Sequence, residues 1–483
     1  MTTGQLVHRR HLDFTVGPTF RLRQLALRPV TETVVDRFHS IHWDSADLRL
    51  ARWEAGLRYR RGRSWRATLA SYSVAGVTHR VEMDFDGPQD TPPPEAVRLL
   101  DGYLRGEPLQ PVGVVRHLES RRRMGDVCLV HQVVSRIENR HAVLGARRLS
   151  LRGAAEPGER RLLAALRRAG VVETSSLPLF SELFGEAAQP EWRADSLGAA
   201  SSVAAVVSGA LRDFTARLIR NQPLVLEGSD PEGVHQARVA CRRLGSALQT
   251  FATVVDTGWS EPLRADLTSL TDALGAVRDT EVLLMRLRGS AARVPGLDAA
   301  TAERLLAQLE TQRTDAREAL LRRVSSDEHR AHLERLIAAA GKPWVLADTS
   351  EHPAVEILSP LVEASWRKLR RQVGRVGAQP DDKGLHRIRI LAKRCRYAVL
   401  ALAPVAGEAP ARTGVILGEL QDALGEQHDA VVAGEWLRRA ADPETSFVAG
   451  ILYARERELA EKGRAAWRGP WRSLVKKERW RWL

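Results

Sequence analysis

Val234-His235-Gln236-Ala237-Arg238-Val239-Ala240-Cys241-Arg242-Arg243-Leu244 returns 151 residues later as Leu385-His386-Arg387-Ile388-Arg389-Ile390-Leu391-Ala392-Lys393-Arg394-Cys395. Farther along, Leu270-Thr271-Asp272-Ala273-Leu274-Gly275-Ala276-Val277-Arg278-Asp279 returns as Leu420-Gln421-Asp422-Ala423-Leu424-Gly425-Glu426-Gln427-His428-Asp429, 150 residues later. Two matches in the same order, one residue apart in register, mark an internal duplication. Both copies have helical spacing, so the C-terminal part of the chain reads as a tandem pair of helical bundles.

The repeated helix divides into two faces. At about 100° per residue, His235, Arg238 and Arg242 fall on one side with Arg243 flanking them, and Ala237, Ala240, Cys241, Leu244, Ala247 and Leu248 fall on the other. In the second copy His386, Arg389, Lys393, Arg394 and Arg396 form the basic face, and Ile388, Leu391, Ala392, Cys395, Ala398 and Val399 the apolar one. Each helix anchors one face in its bundle and presents cations on the other. A merely solvated face interleaves acids with bases, because opposite charges at i,i+4 gain a few tenths of a kcal/mol. Neither Val234–Phe251 nor Leu385–Pro404 contains an Asp or Glu. Anion binding is the reading this favours. Asp279 and Asp429 are expected to pair with basic residues of the repeated helices as structural partners. Trp366-Arg367-Lys368-Leu369-Arg370-Arg371 adds four cations, at Arg367, Lys368, Arg370 and Arg371, and is expected beside the first repeated helix.

Outward from this core, Ala/Leu/Arg-rich helical segments run from about Ser196 to the C-terminus, giving repeats over roughly 196–340 and 350–483. Residues 1–185 read instead as short alternating strands: Leu57–Arg60, Trp65–Leu69, Arg80–Phe85, Val127–Val134 and Ala142–Leu151. Turn clusters such as Arg61-Gly62-Arg63-Ser64 and Pro92-Pro93-Pro94 divide them, and helical stretches interrupt near Glu95–Leu104 and Glu159–Ala169. Residues 186–195 have the composition of a linker. The fold class is therefore α+β in two domains, as the 483-residue length also requires.

Lys and Arg outnumber Asp and Glu by 73 to 59, a formal charge of +14, which favours polyanionic partners. No apolar run approaches the roughly 20 residues that span a bilayer, and Met1–Phe14 lacks the apolar core of a secretory signal. A cytoplasmic protein without a membrane partner is expected. Cys128, Cys241 and Cys395 stand far apart in no ligand pattern, so buried thiols are expected and neither a metal nor a cofactor.

On these residues the C-terminal part resembles the CHAD family, the conserved histidine α-helical domain, whose pattern is two helices reading H-x-x-R-[VI]-x-x-[RK]-[RK], each followed by L-G-x-x-[RH]-D. The resemblance covers about 196–483. It implies two four-helix bundles about a pseudo-twofold axis, whose basic helices line a central groove that binds inorganic polyphosphate. Carried over by position, the groove residues are His235, Arg238, Arg242, Arg243, His386, Arg389, Lys393, Arg394 and Arg396. Gly245 stands where the family often has another cation, which implies a weaker first half-site.

The N-terminal part resembles the CYTH family of triphosphate tunnel enzymes. His42-Trp43-Asp44-Ser45-Ala46-Asp47-Leu48-Arg49-Leu50-Ala51 is similar to its Y-[YF]-D-T-x-D-x-x-L segment, and Leu57–Arg61 and Trp65–Leu69 to the strands that follow. The similarity implies an antiparallel β-tunnel. The family opens on E-x-E-x-K, whose carboxylates help hold Mg²⁺ or Mn²⁺, and metal-assisted phosphoryl chemistry needs such oxygen ligands. Here the matching strand reads Val7-His8-Arg9-Arg10-His11-Leu12. The late strands Leu129–Val134 and Leu144–Leu149 also lack acids, leaving Glu82 alone at an acid-bearing position. A catalytically silent tunnel is expected, with Arg58, Arg60 and Arg66 able to hold an anion.

Three functions are weighed. The first is polyphosphate binding with recruitment to polyphosphate granules. The second is a metal-dependent tripolyphosphatase. The third is nucleic-acid binding, against which stand an aromatic content of 5% and basic helices without a stacking ladder beyond Tyr397. The Trp-rich end, Trp467–Trp471 through Trp480–Leu483, is read as a packing segment or a docking tail.

Overall fold

A computed structural model describes residues 7–15, 31–69, 72–74, 77–124, 127–138, 141–152, 166, 168, 171–174, 183–192, 196–377 and 379–483. The chain forms two compact units, Met1–Arg193 and Ala194–Leu483.

The first unit is one antiparallel sheet of strands β1 (Val7–Thr15), β2 (Glu32–Asp44), β3 (Gly56–Arg60), β4 (Trp65–Thr68), β5 (Tyr72–Val74), β6 (Val77–Phe85), β7 (Gln110–Met124), β8 (Val127–Glu138), β9 (His141–Arg152) and β10 (Val172–Thr174). The order is β10-β1-β9-β8-β7-β2-β3-β4-β6-β5. A further pairing, Val7–His11 of β1 with Thr78–Glu82 of β6, returns the sheet to its own edge. With β5 and β10 outside it, an eight-stranded ring closes, the tunnel that the sequence resemblance implied. Closure removes the open edges that make isolated sheets prone to pairing with other chains.

Short helices α1 (Arg49–Arg52) and α2 (Pro94–Leu104) accompany the sheet. The segment that resembles the tunnel motif is local architecture. The Asp44 carboxylate accepts hydrogen bonds from the backbone N–H of Ser45, Leu50 and Ala51 at 2.7, 2.8 and 2.9 Å. Ser45 Oγ accepts from Arg49 N–H at 2.9 Å and donates to Asp47 at 2.8 Å. These acids thus satisfy the orphan donors of a helical turn.

The expected linker is corrected at its start. Residues 185–188 form a 3₁₀ turn, and Leu183, Phe184 and Ala188 are buried against Leu48, Ala51, Val115 and Val134. Arg52 pairs with Glu191 at 2.8 Å, and Trp53 meets Trp192 edge-on. This stretch buries too much apolar surface to be a spacer. The helix expected over Glu159–Ala169 falls largely outside the described residues, Leu166 and Arg168 being helical.

The second unit is all helix: α3 (Val203–Glu227), α4 (Pro231–Thr250), α5 (Thr257–Ala291), α6 (Ala299–Val324), α7 (Asp327–Gly341), α8 (Ala347–Ser350), α9 (Ala354–Arg375), α10 (Asp382–Ala406), α11 (Glu408–Ala440), α12 (Ser446–Ala466) and α13 (Arg468–Leu474). Helices α3, α4 and α5 start 151 residues before α9, α10 and α11 (203 and 354, 231 and 382, 257 and 408). Four helices of the first repeat pack against helices of the second in matching order: α3 on α9, α4 on α10, α5 on α11 and α6 on α12. Such self-matched contacts are the mark of a twofold relation. Side-chain caps start both repeated helices: Asp230 accepts from Glu232 N–H at 2.9 Å, and Asp381 from Gly384 N–H at 2.8 Å.

The two copies share a core of Leu284, Leu287, Leu305, Leu306, Trp436, Leu437 and Leu452. Beside it lies a buried ionic link. Glu456 of α12 is 0% exposed and accepts from Arg286 Nε of α5 at 2.7 Å and from Ser290 Oγ at 2.6 Å. Arg286 also reaches Glu426 of α11 at 3.2 Å. Removing one partner of a buried pair strands the other's charge, which costs about 3–5 kcal/mol. Arg286→Ala is therefore expected to destabilise the helical unit by about that amount in urea unfolding followed at 222 nm.

Candidate anion groove and the tunnel interior

Helices α4 and α10 turn their apolar faces into their own bundles. Val234, Ala237, Ala240, Cys241, Leu244, Ala247 and Leu248 are buried on α4, and Leu385, Ile388, Ala392, Cys395, Ala398, Val399 and Leu402 on α10. Because α4 packs on α10, their basic faces converge. Arg242 Nη2 lies 3.3 Å from Tyr397 Oη. Arg238, Arg242 and Arg389 all bear electrostatically on Lys393, and Arg396 on Arg243.

Of the nine groove residues, eight are half-buried: His235, Arg238, Arg242, Arg243, His386, Arg389, Lys393 and Arg396. Arg394 is exposed, and five positions on from Arg389 it stands about 140° round the helix, on the outer flank with Arg387. The expected acid partner exists in the first copy, where Arg238 Nη1 meets Asp279 Oδ1 at 2.8 Å. Its counterpart Arg389 forms no such pair with Asp429. Burial instead raises the Asp429 carboxyl above its ordinary range, against the pull of Arg389 and Arg286. Among the described residues, Arg242, Arg243, Arg389, Lys393, Arg394 and Arg396 have no carboxylate within ion-pair distance. The buried Nε atoms of Arg238, Arg242, Arg243, Arg389 and Arg396 have no hydrogen-bond partner there.

The L-G-x-x-[RH]-D segment acquires a physical role. A Cβ built on Gly275 would stand 3.6 Å from Nε and Nη2 of Arg238, and one on Gly425 3.8 Å from Nε of Arg389. The bare backbone of α5 and α11 is thus a floor on which each guanidinium lies. Arg396 lies similarly over Gly418, its Cζ 3.1 Å from the Cβ position, and bonds Gln421 at 3.5 Å. The first copy has Gly245 in place of Arg396, so the second half-site is richer in cations.

Crowding shows in the proton affinities. Burial, then Arg242, Arg389 and Arg238, pull the Lys393 amine down to about 7, against the weaker opposing pull of Asp279. Burial depresses His235 and His386, and takes His428, whose ring centroid lies 4.6 Å from that of His386, down to about 4. Burial thus favours the neutral imidazole at all three.

The basic segment of α9 is corrected in position: it packs on α10 and α3 rather than beside the first repeated helix. Arg367 pairs with Glu363 at 3.7 Å, Arg370 lies over the Trp366 ring at 5.9 Å, and Lys368 and Arg371 are exposed. Trp366 anchors the Trp-rich end, stacking on Trp480 at 4.2 Å and meeting Trp471 at 5.5 Å. Trp480 stacks in turn on Trp482, and Trp467 is buried. The packing reading of this terminus holds.

In the ring, directly paired residues share a face. Arg66 opposes Arg58 and Asp84, Arg58 opposes His42, and Glu119 opposes Asp36 and Gln132. Arg58 on β3 bears on both Glu82 of β6 and Glu119 of β7, each two strands away, as side chains converging inside a curled sheet do. The opposite face carries buried Leu57, Trp65, Ala67, Val81 and Met83, with Trp65 Nε1 donating to Pro88 O at 2.7 Å. The charged set therefore lines the interior.

Glu119 of β7 and Asp36 of β2 are residues that the sequence reading missed, since neither strand was delineated over these positions. Both are engaged. Glu119 pairs with Arg121 and accepts from Gln132 at 2.6 Å, while Asp36 pairs with Arg60. Arg66 reaches Asp84 at 2.6 Å and Glu82 at 3.4 Å. Of the three expected anion-binding arginines, Arg58 has no ion-pair partner among the described residues. Burial draws it down to about 10. Deeper in, Arg60, Phe38, His117, His42, Phe184 and Arg136 follow one another in a stack, His117 also bonding Ser40 Oγ at 2.7 Å. Phe184 lies 3.2 Å from a Cβ placed on Gly113 of β7, filling that end of the ring. Among the described residues no three His, Cys, Asp or Glu side chains come together so as to hold a metal ion. Of β1, which replaces the acidic opening motif, the backbone alone is described.

Comparison with known proteins supports the helical assignment: residues 209–438 match the CHAD domain. The helical unit carries a CHAD domain. An uncharacterized protein of Mycobacterium tuberculosis, Rv2226, is 25% identical over 510 aligned positions covering 96% of this chain and 95% of that protein. The CHAD domain of the plant Ricinus communis superposes with a TM-score of 0.48 at 25% identity, over 59% of this chain and 96% of that one. PptA from Streptomyces chartreusis gives a TM-score of 0.48 at 24% identity, over 56% of this chain and all of PptA. No described helix is long and apolar enough to cross a membrane.

The depressed amine within the CHAD domain makes a signed prediction. The unfolded chain holds the Lys393 proton up to about pH 10.5 and the folded chain only to about 7, so between those values the unfolded state binds more protons. This residue's contribution to stability therefore rises with pH across the window and is flat below it. Lys393→Met is expected to raise the unfolding midpoint at pH 6–7, with the gain vanishing toward pH 10.

Proposed function

We propose that the chain binds inorganic polyphosphate along the α4–α10 groove of its CHAD domain, without transforming it. The observation that carries this reading is the crowd of half-buried cations lacking carboxylate partners: Arg242, Arg243, Arg389, Lys393 and Arg396. Charges brought together and partly dehydrated repel one another, and a chain of phosphates relieves both the repulsion and the unmade hydrogen bonds. Guanidinium groups take phosphate oxygens in bidentate fashion, and the Lys393 amine and the histidines add point contacts. The ligand's negative charge returns a proton to Lys393, so affinity falls as pH rises above 7. Residence at polyphosphate granules is the cellular counterpart we propose, in the cytoplasm.

Titration with long-chain polyphosphate at two salt concentrations tests this, because neutralising several phosphates makes binding steeply salt-dependent. Arg389→Glu combined with Lys393→Glu is expected to weaken binding by on the order of 100-fold or more while far-UV circular dichroism is unchanged. Unchanged affinity in that double variant sinks the groove. Duplex DNA competing as well as polyphosphate favours nucleic-acid binding instead.

We take the β-ring to be catalytically silent, its acids being engaged by arginines and Gln132. One observation favours a second reading, a metal-dependent tripolyphosphatase: Glu82 and Glu119 both approach Arg58 in the interior. Phosphate release from tripolyphosphate with Mg²⁺ or Mn²⁺, lost on Glu82→Gln, would establish it. No release is expected.

A further inference from the structure

Lys393 stands among guanidinium, imidazole and carboxylate groups of four helices. Arg389 and His386 face it from α10, Arg238 and Arg242 from α4, Asp279 from α5 and His428 from α11. The single carboxylate of this set is already held by Arg238 at 2.8 Å. The amine is half-buried, so a small molecule can reach it, and among the described residues it has neither an ion pair nor a hydrogen bond.

We propose that Lys393 is an acylation site whose acyl donor is a small acyl phosphate seated on Arg242 and Arg389. The proposal rests on the groove being an anion site and names a reaction that would regulate it. The lone pair of Lys393 Nζ forms a bond to the carbonyl carbon, and the bond from that carbon to the phosphate-bearing oxygen breaks. Inorganic phosphate leaves with the electron pair and takes up the proton that the amine gives up. The products are an N-acyl lysine and hydrogen phosphate, with no oxidant, reductant or metal involved. The surroundings serve both halves of the reaction. Neighbouring cations and partial dehydration keep a large fraction of the amine unprotonated near neutrality, and free amine is the nucleophile. The same guanidinium groups neutralise the departing phosphate. Arg242, the counterpart of Lys393 in the duplication, cannot react this way, so the chemistry belongs to one half-site. Acylation abolishes the charge and fills the groove centre, which would lower polyphosphate affinity.

The test is incubation of the full chain with acetyl phosphate at pH 7.5, with acetylation at each lysine followed by peptide mass spectrometry. Lys393 is expected to react roughly ten-fold or more faster than exposed Lys368 and Lys383, because ordinary lysines are almost wholly protonated at that pH. Arg389→Gln and Arg242→Gln should each reduce that preference several-fold. A neutral acetyl ester, which lacks the phosphate handle, should show a smaller preference and no dependence on Arg242. Reaction at Lys393 no faster than at the exposed lysines overturns the proposal, as does an equal preference with the neutral ester. Long-chain polyphosphate should protect Lys393 and leave Lys368 unprotected. Selective acetylation that polyphosphate fails to slow would uphold the acylation site and count against the polyphosphate reading. Protection without selectivity would do the reverse.

Discussion

The helical unit is organised around a repulsion. Along α4 and α10, cations are brought within reach of one another with, among the described residues, a single carboxylate in pairing distance, that of Asp279 on Arg238. Like charges at this range cost free energy, more so where water is thinned. The depression of Lys393 to about 7 is the local sign of that cost. What offsets it is apolar: the opposite faces of the same two helices are buried from Val234 to Leu248 and from Leu385 to Leu402, and the copies share the Leu284–Trp436–Leu452 core. Each buried aliphatic side chain contributes about 1.5–3 kcal/mol, so the packing can hold a groove that electrostatics alone would open.

The β-ring solves the opposite problem. Its interior is also charged, yet Asp36, Glu82, Asp84 and Glu119 are matched there by Arg60, Arg66 and Arg121, and an aromatic stack occupies the end near Phe184. The carboxylates described in the ring are satisfied locally, whereas the described cations of the groove other than Arg238 are left without carboxylate partners. That contrast, rather than the net charge of +14, separates a place suited to receiving an anion from one already internally compensated. Within the ring, Arg58 has no such partner among the described residues.

Much of the helical half was legible in the chain itself. The 151-residue offset located both repeated helices, and helical periodicity sorted Arg238 from Ala237 and Lys393 from Ala392, because a bundle helix must bury one stripe. Periodicity failed at the edge of the stripe: Arg394 adjoins Lys393 in sequence yet stands exposed on the flank, about 100° further round. Nor could it give the partner of α9, since an amphipathic helix shows which face is buried without naming what buries it. Strand β7 escaped notice because Val114-Val115-Arg116-His117-Leu118-Glu119 alternates poorly, both of its faces being partly buried. Glu119 escaped with it. The start of the linker was misjudged because Pro, Glu and Ala suggest a spacer, while Phe184 and Trp192 pack by contacts no local composition announces.

The duplication leaves a final asymmetry that the twofold packing makes unexpected. Equivalent positions of a symmetric pair experience equivalent surroundings, yet Arg238 is held by Asp279 while Arg389 goes without Asp429. Arg242 answers to Lys393, Arg278 to His428, and Gly245 to Arg396. Each exchange concentrates either unpaired charge or a titratable group in the second copy. A neutralised Arg238 could bind phosphate only by sharing its guanidinium with a carboxylate, whereas Arg389, Lys393 and Arg396 have no such competitor among the described residues. On the proposed reading, the second half-site would grip the ligand and sense protons, and the first would extend the track. A fixed, always-charged Arg242 beside a proton-sensitive Lys393 ties these two roles together. Burial and then the charge on Arg242 lower the proton affinity of the Lys393 amine, so one copy helps set the protonation state of the other.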